Sequence, residues 1–191
     1  MIKLEYFTAD DFALLKEWIS DEHLLLNWAG SAFRFPLTDD KLEWYIRGAN
    51  DISGSDTLIY KAVNTESGRT VGHISLTAVN RANRSARITR VIVGDPAARG
   101  KKLGEQIIRA VMEVGFRDLK LHRMSLGVYD FNEPAIRCYR KCGFNVDGVL
   151  RDISRHEDTF WSIMEMSILE DEWQENHPEH RSSPSIPEII D

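Results

Sequence analysis

Two groups of residues in this chain have types and spacings suited to chemistry. The first is the run Arg99-Gly100-Lys101-Lys102-Leu103-Gly104, which lies between an apolar stretch at 87–93 and an amphipathic one beginning at Leu103. A turn that leads from a strand into a helix aims unpaired backbone N–H groups, and the positive end of the helix dipole, at whatever lies before it. Such a place favours an anion, and Arg99, Lys101 and Lys102 add charge there, so the run reads as a phosphate or pyrophosphate site. The second is the stretch 132–144, which reads as a capped helix stopped by Gly143 and carries Tyr139, where packing on an amphipathic helix alone explains a tyrosine.

Other chemistries fit less well. The glycine-rich run lacks the G-x-x-x-x-G-K-[S/T] form of a P-loop, which argues against a nucleotide hydrolase. Cys138 and Cys142 stand four residues apart, a helical spacing and not the C-x-x-C of redox or zinc motifs, so they read as two free thiols and no metal is expected. The 191 residues carry a formal net charge of −6, which argues against wholesale nucleic-acid binding and leaves the basic turn as a local feature. There is no run of 18 apolar residues and Glu5 soon follows Lys3, so neither a membrane span nor a leader is expected, and the reading is cytoplasmic.

The elements that must position these residues can be read in order. Residues 2–7 alternate as a short strand. Thr8 and Thr38 each have the form of a helix N-cap, with Phe7/Phe12 and Leu37/Leu42 set as hydrophobic staples. The first helix is expected to reach about residue 20, and Leu42, Tyr45 and Ile46 share one face of the second. Between them 23–36 is apolar without a period and reads as an irregular lid or a pocket wall. Residues 57–63, 70–79 and 85–93 are β-branched runs joined by short turns, which predicts an antiparallel meander. Leu103, Ile107, Ala110, Val111 and Val114 mark the buried face of a helix reaching about residue 119, and 123–130 is the next strand. A strand–helix–strand crossover of that length makes a parallel pair. Asn132 caps the following helix, Pro134 sits in its first turn and Gly143 supplies the left-handed stop. Two strands, 144–150 and 159–169, close the sheet. The single domain is expected to span 1–170, with 171–191 as a mobile acidic tail.

In this order the two groups resemble the cofactor and second motifs of the GNAT superfamily of acetyl-CoA-dependent N-acetyltransferases. The first has the form Arg/Gln-x-x-Gly-x-Gly/Ala, met by 99–104 except that Lys102 stands where a glycine is usual. The second, Asn-x-x-Ala-x-x-x-Tyr-x-x-x-Gly-Phe, is matched throughout by Asn132, Ala135, Tyr139, Gly143 and Phe144. The strict overlap covers 84–151, and the element order extends it over 2–169. The closing segments look most like the branch holding ribosomal-protein N-terminal and spermidine acetyltransferases.

The resemblance implies an α/β (α+β) fold: a central mixed, mostly antiparallel sheet of six or seven strands, parallel at the cofactor strand, with helices on both faces. It implies acetyl-CoA as co-substrate and a primary amine as acceptor, whether a protein N-terminus, a polyamine or a small molecule, with a homodimer open. The pyrophosphate would rest on Arg99, Gly100, Lys101, Lys102, Leu103 and Gly104, and the pantetheine beside a bulged or splayed strand at Val91, Ile92 and Val93. Asn132 would touch the cofactor, and Tyr139 would protonate the departing thiolate. Many relatives carry a glutamate on the strand before the turn, where this chain reads Ala86-Arg87-Ile88-Thr89-Arg90. His73, His122, Asp130 and Glu165 remain as candidate bases, each with a structural role of its own available. Trp28, Phe33, Phe35, Trp44 and Tyr45 would wall an acceptor groove or simply pack. A non-catalytic acyl-CoA-binding module is the alternative to an enzyme.

Overall fold

In the computed structural model, residues 1–94 and 102–176 are described; Arg99, Gly100, Lys101 and 177–191 lie outside them. The described chain forms seven strands: β1 (Ile2–Tyr6), β2 (Leu58–Asn64), β3 (Thr70–Asn80), β4 (Ser85–Val93), β5 (Arg123–Tyr129), β6 (Asn145–His156) and β7 (Thr159–Leu169). They make one sheet in the order β1-β2-β3-β4-β5-β7-β6. All neighbours are antiparallel except β4 and β5, so both the expected meander and the expected parallel pair are present.

Six α-helices flank the sheet: α1 (Phe12–Trp18), α2 (Glu22–Ala29), α3 (Asp39–Ile46), α4 (Leu103–Glu113), α5 (Glu133–Lys141) and α6 (Glu170–Asn176). Side chains of a strand alternate between faces, and β2 sorts accordingly. Leu58, Tyr60 and Ala62 join the core under α4 and α5, while Ile59 joins the second core with Phe12, Leu15, Leu25 and Leu42 of α1–α3. Helices therefore cover both faces, as the fold class implied.

Local chemistry explains the helix boundaries. Thr8 donates its N–H to Asp11 Oδ2 at 2.9 Å ahead of α1, and the Phe7 and Phe12 rings lie 5.8 Å apart as the staple requires. α4 buries Leu103, Ile107 and Val111 as expected, but adds Ile108 and Met112 in place of Ala110 and Val114. It widens into a π-helical turn over Val114–Asp118, which buries Phe116. Asn132 caps α5 by accepting the Ala135 N–H at 3.3 Å, and Gly143 leaves the helix at φ 99°.

Two expectations need correction. The segment 23–36, read as an irregular lid or a pocket wall, contains most of α2, a helix begun by Asp21 Oδ1 accepting the Leu24 N–H at 2.8 Å. The chain also stays ordered past residue 170. α6 spans Glu170–Asn176, and Trp173 is 3% exposed with its ring stacked 5.1 Å from Phe116. The acidic composition concealed one aromatic anchor.

Candidate active site

β4 and β5 are paired only from Ser85↔Arg123 to Ile88↔Leu126. Both strands run on for several residues without meeting, so the sheet splits and the β5-facing edge of β4 has no strand partner there. A bulge in β4 accompanies the split. His73 of β3 pairs with Ile92 and Ser75 with Thr89, so Arg90 and Val91 together oppose Ile74. Arg90 holds a left-handed φ of 54°, an uncommon state for a residue with a side chain, and the bulge re-aims the strand. The Trp28 indole of α2 donates to the Arg90 carbonyl at 2.9 Å and fastens the kink.

The split opens a cavity of about 660 Å³, walled by Arg87–Val93 (87–93), 126–129, the face of α5 and the end of α2. Val91, Ile92, Val93, Gly104, Asn132 and Tyr139 all line it. At Gly104 an added Cβ would lie 3.4 Å from Cys138 Sγ, in van der Waals contact, so α4 and α5 pack closely at the cavity wall. Leu103 does not reach the cavity and packs with Val71 instead. Lys102 is exposed and takes φ 57° and ψ 22° before α4. It therefore adopts the left-handed conformation that a glycine would hold without strain.

Tyr139 is 8% exposed and lines the cavity, and its hydroxyl has no hydrogen-bond partner among the described residues. Burial, reinforced by the Cys138 and Cys142 thiols, pushes the phenol further above its ordinary range, so it stays a proton donor at any neutral pH. Cys138 also lines the cavity. A hydrogen bond from Cys142 holds the Cys138 thiol below the usual thiol range, and the same bond together with burial pushes Cys142 up.

None of the candidate bases faces the cavity, and among the described residues no aspartate, glutamate or histidine lines it. His73 is 1% exposed beneath the bulge, with Nε2 3.0 Å from the Tyr45 hydroxyl, which also contacts Ser75 Oγ. Burial and then Arg90 pull its pKa down to about 3, so the imidazole is neutral. Glu165 is engaged by Arg87 in a two-point ion pair of 2.6 and 2.7 Å. His122 lies beside Glu170 at 3.8 Å, and Asp130 is exposed at the end of β5.

The aromatic group divides. Trp28 lines the cavity; Phe33 and Tyr45 are core residues of the α1–α3 face; Phe35 and Trp44 are exposed. The wall residues not named singly from the sequence are Leu24, Asn27 and Gly30, on α2 and just after it within the segment read as a lid or pocket wall, and Tyr129 at the end of β5. Asp21 followed by Leu24, Leu25 and Trp28 was the signal for α2: a cap and an apolar face at helical spacing. No group of three or more metal-ligating side chains forms among the described residues, and no helix of those residues is long and apolar enough to cross a membrane.

A split strand with a bulge, beside a helix that presents an asparagine cap and a buried tyrosine, defines an acyltransferase-like architecture, and comparison with known proteins agrees. The model of the acetyltransferase (GNAT) domain matches residues 2–145, and the chain belongs to that family. The spermidine N(1)-acetyltransferase of Escherichia coli (strain K12) is 30% identical over 110 residues, 58% of this chain and 58% of that protein. The chain thus spans less than two thirds of that relative's length. The aminoglycoside N(6')-acetyltransferase type 1 of Klebsiella pneumoniae is 25% identical over 154 residues, 78% of this chain and 76% of the relative. In fold, the chain matches the crystal structure of spermidine N-acetyltransferase from Vibrio cholerae in complex with CoA and spermine. The TM-score is 0.77 at 20% identity, over 90% of this chain and 97% of the other.

Proposed function

We propose that this chain transfers an acetyl group from acetyl-CoA to a primary amine by direct attack in a ternary complex. The observation that carries the reading is Tyr139, a buried phenol whose hydroxyl is unengaged among the described residues, in the wall of a cavity opened by the split between β4 and β5. A pantetheine arm would lie along the unpaired backbone edge of β4 at Val91, Ile92 and Val93, with Gly104 in the same cavity wall. Asn132 and the first-turn amides of α4 at Leu103 and Gly104 would hold the polar parts of coenzyme A, with Arg99, Gly100, Lys101 and Lys102 toward the pyrophosphate.

In the reaction the amine nitrogen forms a bond to the thioester carbonyl carbon and the C–S bond breaks. A β4 N–H aimed at the carbonyl oxygen stabilises the developing negative charge by roughly 3 kcal/mol. Tyr139 gives its proton to the leaving sulfur, and the proton lost by the nitrogen passes to solvent. With no carboxylate or imidazole in the cavity wall among the described residues, the amine arrives neutral or is deprotonated through water.

Cys138 supports a second reading, an acetyl-cysteine intermediate, because it lines the same cavity with its thiol pKa lowered. The two are separated by measuring coenzyme A release with an amine panel that includes spermidine and an aminoglycoside. Tyr139→Phe is expected to lower kcat by about 10²–10⁴-fold with little change in KM. Cys138→Ala is expected to keep turnover within about threefold of wild type. Unchanged turnover in Tyr139→Phe sinks the general-acid role, and an inactive, folded Cys138→Ala sinks direct transfer. Coenzyme A binding with no release on any amine would instead support the acyl-CoA-binding module.

A further inference from the structure

Among the described residues two arginines, Arg87 and Arg90, line the cavity, and their circumstances differ. Arg87 is neutralised by its two-point pair with Glu165. Arg90 has no carboxylate partner among the described residues. Its guanidinium carbon lies 4.7 Å from the centre of the Tyr45 ring and 5.5 Å from that of Phe33, and its Nε is buried without a hydrogen-bond partner. Beyond these rings it makes a long 3.5 Å approach from Nη1 to Thr89 Oγ1, and it acts on the Tyr45 hydroxyl. The aromatic faces offset part of the cost of withdrawing this charge from water, but they leave the Nε donor unmatched, and no carboxylate faces the guanidinium among the described residues.

The backbone also incurs strain to keep Arg90 there. It is the residue of the bulge with a left-handed φ, and its carbonyl is held by Trp28. Left-handed backbone costs a non-glycine residue on the order of 1–2 kcal/mol. Trp28, Phe33 and Tyr45 all belong to the α2–α3 side of the molecule, opposite the α4–α5 side that carries Gly104, Asn132 and Tyr139. Arg90 therefore lines the cavity from the α2–α3 side, which the amine-transfer reading leaves for the acceptor.

We infer that Arg90 is a specificity residue: it receives a carboxylate or phosphate on the acceptor, so that the amine acetylated belongs to a small molecule that also carries an oxyanion. The planar guanidinium presents two parallel N–H donors, a geometry that matches either group. This rests on the amine-transfer reading above. It departs from a polycationic acceptor, whose remaining ammonium groups would meet an uncompensated positive charge at this wall.

The test uses the full chain and matched acceptors that differ only in the oxyanion. One arm compares β-alanine with β-alaninamide, and another compares O-phosphoethanolamine with ethanolamine, with spermidine as the cationic control. The expected result is a kcat/KM higher by about 10- to 100-fold for the oxyanion member of at least one pair, as a charge-assisted contact gives. The arm that responds identifies the group. In R90Q that ratio falls toward one, and in R90K it is partly kept. Thermal stabilisation of the coenzyme A complex by the same compounds is read in parallel.

Oxyanion-dependent stabilisation without turnover keeps the assignment of Arg90 and overturns amine transfer. Turnover with spermidine exceeding every oxyanion acceptor keeps amine transfer and overturns the assignment. So does a ratio near one in both pairs, or a loss of coenzyme A affinity in R90Q that accounts for the loss of ratio. The wild-type ratios decide the question even where a variant fails to fold.

Discussion

Lowering the pH from 7 to 5 should destabilise this protein through His73. The imidazole is 1% exposed, and burial followed by the charge of Arg90 brings its pKa down from 6.5 to about 3. The native state thus refuses a proton that the unfolded chain accepts below 6.5. The stability due to His73 is complete above that value and is lost as the pH falls toward about 3. At pH 5, about 1.5 pH units below the unfolded value and at about 1.36 kcal/mol per pH unit, the loss is about 2 kcal/mol. Urea unfolding of wild type and His73→Gln at pH 7 and pH 5 isolates this term, because every other group titrates in both. Wild type is expected to lose about 2 kcal/mol more than the variant between the two pH values. Equal losses would refute the reasoning, since they would mean that the native imidazole takes up its proton as readily as the unfolded one. His73 pairs with Ile92 beside the bulge, so the same pH drop would loosen the strand that walls the cavity.

Two further outcomes concern single residues. Lys102→Gly removes the strain of φ 57° and is expected to stabilise the protein by about 0.5–1 kcal/mol, while a β-branched Lys102→Val costs at least as much; a lower Tm for the glycine variant would contradict this. Trp173→Ala deletes a 3%-exposed ring stacked on Phe116 and is expected to cost about 3 kcal/mol or more, read as a Tm lowered by several degrees; an unchanged Tm would mean that α6 contributes nothing to the core.

What the sequence made legible was what is local. Caps at Thr8 and Asn132, staples at Phe7 and Leu37, β-branched runs and the crossover at 103–123 each follow from residues within a turn or two of one another. That was enough for the sheet, its one parallel pair and the helix that carries Tyr139. The bulge was expected only through resemblance, because nothing near Arg90 marks a left-handed residue: no glycine or asparagine stands there. Arg90 itself was read as part of a stretch missing its glutamate. Its environment is made by Trp28, Phe33 and Tyr45, far away in the chain, and no spacing rule links them. Trp173 was hidden in the same way. Its partner Phe116 lies on the far side of three strands and a helix, and the acids around Trp173 dominate the local composition.

The two halves of the sheet share only the rungs from Ser85↔Arg123 to Ile88↔Leu126, so the molecule is built like a book with a short spine. One leaf carries β1–β4, and the other carries β5, β7 and β6. An occupant that bonds to the bare edge of β4 while touching Asn132 and Tyr139 supplies, for as long as it stays, the rungs the strands lack. Loading the cavity would then stiffen the whole sheet, and the product could leave only as that borrowed ladder is given up. In such a molecule the angle between the leaves is a property that residues along the spine can tune without touching the substrate.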